Sequence, residues 1–126
     1  MNKKITLVCG AFLAGLGVAL GAMGSHVWES ILDQKGRVGT FETAVKYQLY
    51  HAFALLVVGL LTGSEKENKL RVASWAFFMG TVLFSGSLYV LSFTNAKWVV
   101  YATPMGGLLM LTGWTALLLH FLKMRE

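Results

Sequence analysis

Four long stretches of this chain contain no Asp, Glu, Lys or Arg: residues 5–25, 47–62, 72–94 and 98–122. An apolar run of about 18 or more residues without charge is the signature of a helix that crosses a bilayer. The second stretch is slightly short, but a helix that begins earlier, with Glu42 and Lys46 among the headgroups, makes up the length. Spans are therefore expected at about 5–25, 43–62, 73–94 and 98–122 of a single membrane domain, residues 1–126. The predicted fold is all-α: a polytopic membrane protein built as a four-transmembrane-helix bundle. Only 13% of the residues are charged, against roughly 25% in soluble chains, so a soluble globule is excluded.

The net charge of +5 could suggest a nucleic-acid partner, but the placement of the charge argues against one. With four spans, both termini and the loop at 63–72 share one side of the membrane. That side holds seven of the eleven basic residues, Lys3, Lys4, Lys66, Lys69, Arg71, Lys123 and Arg125, while Lys35, Arg37, Lys46 and Lys97 lie opposite. The positive-inside rule then puts both termini in the cytoplasm. No nucleic acid is expected. Cys9 is the single cysteine, so no intrachain disulfide can form. The start, "MNKK" before an apolar stretch ending in "AMG", also has the outline of a signal peptide. Its apolar stretch is longer than a usual signal core, which favours a span.

Along the first span, Gly10, Ala14, Gly17, Gly21 and Gly24 fall in one narrow arc at about 100° per residue. Such a stripe lets another helix approach closely. "GVALG" is a GxxxG match, and packing within the chain is favoured over homodimerisation. Gly80, Gly86, Gly106 and Gly107 are further candidate packing glycines. Residues 26–42 are too polar to span; Val27, Trp28, Ile31 and Leu32 share a turn-spaced face, which predicts a short amphipathic helix at the outer interface. The next helix is expected to start near Arg37–Thr40. "GSEKENKLR" is a polar inner connector and "SFTNAKW" a tight outer turn. Pro104 falls within the first two turns of the last span, where a missing donor costs least.

The polar residues inside the spans are few and predicted to sit at similar height. Tyr47, Gln48 and His51 share one face of the second span. "FSGSLY" (84–89) and "ATPMGG" (102–107) reach a comparable depth in the third and fourth, and His26 closes the first. The expected layer therefore holds Tyr47, Gln48, His51, Ser85, Ser87, Tyr89, Thr103 and His26, in the outer leaflet. Such groups ordinarily act as hydrogen-bonded glue between helices. An intramembrane histidine is nonetheless a candidate site, since its neutral ring both donates and accepts. A binding site predicts an open cavity reaching His51; a structural role predicts both ring nitrogens paired. His26, His51, Met23 and Met105 could in principle offer nitrogen and sulfur to copper, or the two histidines could hold haem, but no HxxxH or CxxC spacing supports either. No cofactor or metal is expected. No carboxylate lies within a span, so a Ser–His–Asp arrangement is unavailable, and no catalytic residue is assigned.

"FETAVKYQLYHAFALL", "LFSGSLYVLSFT" and "TPMGGLLMLTGW" resemble the domain-of-unknown-function 423 family, small bacterial inner-membrane proteins related to a vertebrate transmembrane protein. "GAMGSH" at 21–26 is similar to that family's "GAFGAH", with Met23 for Phe and Ser25 for Ala. "LDQKGRVGTF" departs from it, with Gln34-Lys35 where the family tends to begin a helix with Ser-Pro. The resemblance implies four spans in the plasma membrane and carries no established activity. The expected function is a non-enzymatic membrane component that contacts lipid or unknown protein partners, open to forming a homo-oligomer. The alternative is an oligomeric carrier or binding protein for a small ligand at His51; a metal- or haem-dependent enzyme ranks last.

Overall fold

In hydrocarbon every backbone N–H and C=O must pair within the protein, which drives each apolar stretch into a helix. The computed structural model describes residues 1–63 and 68–124. Lys66 and Arg125, two of the basic residues counted on the cytoplasmic side, lie outside the described residues. Five helices follow in order: α1 (Lys3–Ser25), α2 (Glu29–Gln34), α3 (Val38–Leu61), α4 (Asn68–Phe93) and α5 (Val99–Phe121). α1, α3, α4 and α5 are each long and apolar enough to cross a membrane. The chain is a four-span helix bundle with one short helix lying between the first two spans.

α3 begins at Val38, within the Arg37–Thr40 expected for its start, so the interfacial stretch outside the helix is 26–37 rather than 26–42; α4 begins at Asn68, five residues before the span expected at 73. The apolar run marks where hydrocarbon begins, while the helix continues into the headgroup region. Glu42 and Lys46 on α3 and Lys69 and Arg71 on α4 occupy those extra turns. Pro104 also needs correcting. It is the sixth residue of α5, beyond the four N–H groups that a helix start leaves free, so it removes one intrahelical bond.

Packing runs α1 on α3, α3 on α4 and α4 on α5. α3 and α4 are the more deeply buried pair; α1 and α5 flank them. Glycines set the closest approaches. Against α3, a Cβ on Gly10 would stand 3.0 Å from Leu56, on Gly17 2.8 Å from Leu49, on Gly21 3.3 Å from Val45 and on Gly24 2.5 Å from Phe41. The reciprocal contact comes from Gly59 on α3, where a Cβ would meet Leu7 at 2.7 Å. These pairs define one antiparallel register along the length of α1, so its small-residue stripe is engaged inside the chain. Between α4 and α5, a Cβ on Gly106 would fall 2.5 Å from the Phe84 nitrogen, and one on Gly80 3.0 Å from the Gly106 carbonyl oxygen. Gly113 makes the corresponding space for Phe77. Gly86 opens onto free space and Gly107 comes no nearer than 3.9 Å to Phe84. Neither marks a close helix approach, a correction to the sequence reading.

α2 is stapled to the bundle by its hydrophobic side. Leu32 is buried, and the ring of Trp28 meets Phe41 of α3 and Phe93 of α4 edge-on, centroids 5.9 and 5.4 Å away. Val27 and Ile31 stay exposed, the pair left to face the interface. α2 ends in a Schellman turn: Gly36 adopts φ +64°, its N–H bonds to Asp33 O at 2.9 Å and Arg37 N–H bonds to Leu32 O at 2.8 Å. That left-handed position suits glycine because it has no Cβ to clash.

Candidate functional site

Among the described residues, the polar side chains of the expected layer fall into three separate bridges. The first ties α1, α3 and α4. Gln48, buried on α3, donates through Nε2 to the Leu13 carbonyl of α1 at 2.8 Å. Its Oε1 accepts from the Tyr89 hydroxyl of α4 at 2.7 Å. Gly17 borders this bridge: a Cβ there would stand 3.4 Å from Gln48 Nε2. The bland side of α1 thus exposes a backbone carbonyl to a side chain from the next span.

His51 forms the second bridge, one turn further along α3. Nδ1 lies 2.7 Å from the Tyr47 carbonyl oxygen, and Nε2 lies 3.1 Å from Trp114 Nε1 of α5. A carbonyl only accepts and an indole N–H only donates. The imidazole is therefore neutral with its proton on Nδ1, and both nitrogens are used. Its ring is walled in by Tyr47, nearly parallel at 6.1 Å, by Phe77 at 5.6 Å and by Trp114 at 5.9 Å. The half-exposed Tyr47 ring, itself resting on Phe84 at 4.8 Å, screens it from lipid.

The third bridge joins α4 to α5. Ser87 Oγ and Thr103 Oγ1 are 2.6 Å apart, and Ser87 Oγ also lies 2.9 Å from the Phe84 carbonyl oxygen. The single Ser87 proton goes to that carbonyl, so Thr103 donates to Ser87. Ser85 is buried, and its Oγ is the one buried side-chain polar atom without a partner among the described residues.

Two features of the expected layer need correction. His26 is not part of it: it is the exposed C-cap residue of α1, above the bundle. The bridges also do not stand at one height along the bundle. Leu13, which Gln48 reaches, stands at the middle of α1, and Trp114 is about 22 Å along α5 from Val99 at ~1.5 Å per residue. The polar groups descend like a stair, from Ser87–Thr103 near one end of the bundle, through Gln48, to His51 about halfway along α3. Trp114 was missed as a participant because an indole reads as apolar filler in a span. Its position two thirds of the way along α5 also hid the pairing, because it lies far from Thr103, the polar residue the sequence singles out on that span.

Among the described residues no group of three His, Cys, Asp or Glu side chains could hold a metal. His51 has no free nitrogen, and Met23 and Met105 are exposed on α1 and α5. A groove of about 560 Å³ does open elsewhere, between α1 and α3 under α2, with Glu29, Glu42 and Lys46 on its lining. It ends at Leu49 and Tyr50 and does not include His51.

Comparison with known proteins gives a consistent picture. Residues 20–107 match the family model described as protein of unknown function, DUF423. A UPF0382 membrane protein of Staphylococcus haemolyticus is 38% identical over 95% of this chain and 97% of its own length. A UPF0382 membrane protein of Haemophilus influenzae is 40% identical over 92% of this chain and 90% of its own. The UPF0382 inner membrane protein YgdD of Escherichia coli is 31% identical over the whole of this chain and 95% of its own. No solved structure matches.

Proposed function

This chain belongs to the DUF423 family of bacterial membrane proteins, a family of unknown function, and from that membership we propose that it is a non-enzymatic component of the inner membrane that works by contact with lipid, its buried polar residues serving to hold the bundle together. The observation that carries this reading is His51. A buried imidazole with both nitrogens engaged has no lone pair to offer a metal and no proton to pass to a substrate. Gln48, Ser87 and Thr103 are similarly occupied by neighbouring helices. Groups that would carry chemistry are thus committed to structure, where interhelical hydrogen bonds contribute ~0.6 kcal/mol each on average. The helical surface left over is lipid-facing: Phe12, Leu60, Leu108 and Leu111 are all more than 60% exposed.

Histidine accessibility tests this. The protein in liposomes is treated with diethyl pyrocarbonate and its peptides are read by mass spectrometry. Exposed His26 is expected to be carbethoxylated and His51 to remain unmodified until the protein unfolds. Modification of His51 at a rate near that of His26 would mean a water-accessible imidazole and would favour a ligand site there.

A further inference from the structure

The groove between α1 and α3 has an unusual lining for a surface that meets lipid. Its floor is small and aliphatic, with Gly21 on α1 and Val45 and Leu49 on α3. Its upper edge carries Glu29 from α2 and Glu42 and Lys46 from α3. All three charged side chains are exposed. Glu42 and Lys46 stand one turn apart on α3, a spacing that ordinarily lets such residues pair. Yet among the described residues none of the three makes an ion pair or a side-chain hydrogen bond. Two carboxylates and one ammonium therefore stand exposed and unpaired with one another near the helix ends. From Glu42 to Leu49 the groove descends about 10 Å at ~1.5 Å per residue, into hydrocarbon depth. Its volume of about 560 Å³ is within the range of pockets that hold small ligands.

We propose that this groove is a binding site for a phospholipid whose headgroup joins a primary ammonium to a phosphate diester. The charges complement such a headgroup in sign, two carboxylates facing its single ammonium and one lysine its phosphate. The lipid ammonium donates hydrogen bonds to Glu29 and Glu42, the Lys46 ammonium meets the phosphate, and one acyl chain lies along Gly21, Val45 and Leu49. An ammonium with three N–H donors satisfies two carboxylates where a quaternary, methylated one cannot donate at all. An anionic headgroup without an amine would leave both glutamates unmatched and repelled. Gly21 keeps the floor open: a Cβ there would press on Val45 at 3.3 Å, and a larger side chain would fill the path of the acyl chain. This inference rests on the proposed role in lipid contact and specifies the lipid.

The test uses the full chain, purified in mild detergent and titrated under native mass spectrometry. The probes are phosphatidylethanolamine, phosphatidylcholine and phosphatidylglycerol with identical acyl chains. One phosphatidylethanolamine is expected to be retained about tenfold more tightly than either other lipid. The double variant Glu29→Gln/Glu42→Gln is expected to abolish that preference without loss of folding, since both residues are exposed. Lys46→Met is expected to weaken all three lipids together. Retention of lipid without headgroup preference, or a preference that survives the double glutamine variant, overturns this site while leaving lipid contact standing. Failure to retain any of the three overturns both.

Discussion

Gln48 is a residue whose energetic role can be separated from its neighbours. Its amide is held between the Leu13 carbonyl and the Tyr89 hydroxyl. Leu13 O keeps its own helical partner when the amide is removed, whereas Gln48 Oε1 has no substitute once Tyr89 is truncated. An orphaned buried acceptor costs about 1–3 kcal/mol, while removing both partners together is close to neutral apart from shape. Tyr89→Phe is therefore expected to lower stability by about 1 kcal/mol. The double variant Gln48→Leu/Tyr89→Phe is expected to cost less than the two single changes added. Unfolding in mixed micelles measures this; strict additivity would mean the two groups do not interact. The polar residue types at these positions were legible in the sequence, because a glutamine and a histidine in an apolar run have few roles. Their partners were not. Gln48 bonds to a backbone carbonyl, which no side-chain pattern announces, and Trp114 supplies its donor from a residue type that counts as apolar.

At the scale of the element, the glycines divide into those a pattern reveals and those it hides. Gly10, Gly17, Gly21 and Gly24 recur on one arc, and their repeated spacing is itself the signal. Gly59 stands alone on its face of α3, opposite Leu7, and Gly113 follows Gly106 on the α4-facing side of α5 only after two turns, opposite Phe77; neither makes a sustained periodicity. Gly86 was misjudged because it sits between two serines of a conspicuous motif yet points to open space. The expected consequences differ sharply. Gly106→Val would drive a side chain into the Phe84 backbone, where no side-chain rotation relieves it, at a cost of about 3 kcal/mol or more by the measure of overpacked cores. Gly86→Ala meets nothing and is expected to fold as well as the parent. Comparing the melting temperatures of the two in the same detergent checks both; equal losses would mean that α4 and α5 do not approach at Gly106. The Schellman turn of α2 makes a third case. Gly36→Ala is expected to cost about 1 kcal/mol through its left-handed backbone alone, seen as a lowered unfolding midpoint with lipid retention unchanged.

For the whole molecule, the open matter is which way the bundle faces, because that decides which leaflet the groove samples. Four spans put both termini on one side whichever side it is. The charge asymmetry chooses between them: of the basic residues among those described, Lys3, Lys4, Lys69, Arg71 and Lys123 sit at the end of the bundle where α1 starts and α5 stops, against Lys35, Arg37, Lys46 and Lys97 at the other. Flanking lysines and arginines are retained on the cytoplasmic side during insertion, so that first end is expected to be cytoplasmic and the groove to open to the outer leaflet. The margin between the two ends is small, which makes the orientation sensitive to a few charges. Single cysteines placed at Asn95 and at Gly63 in a Cys9→Ala background report it directly. In intact cells a membrane-impermeant maleimide is expected to label the Asn95 position and spare Gly63. Removing Lys3 and Lys4 together narrows the full-sequence split from seven against four to five against four and is expected to yield a mixed population labelled at both positions. Labelling of Gly63 alone in the parent would invert the bundle, and the paired glutamates and Lys46 would then select among lipids of the inner leaflet.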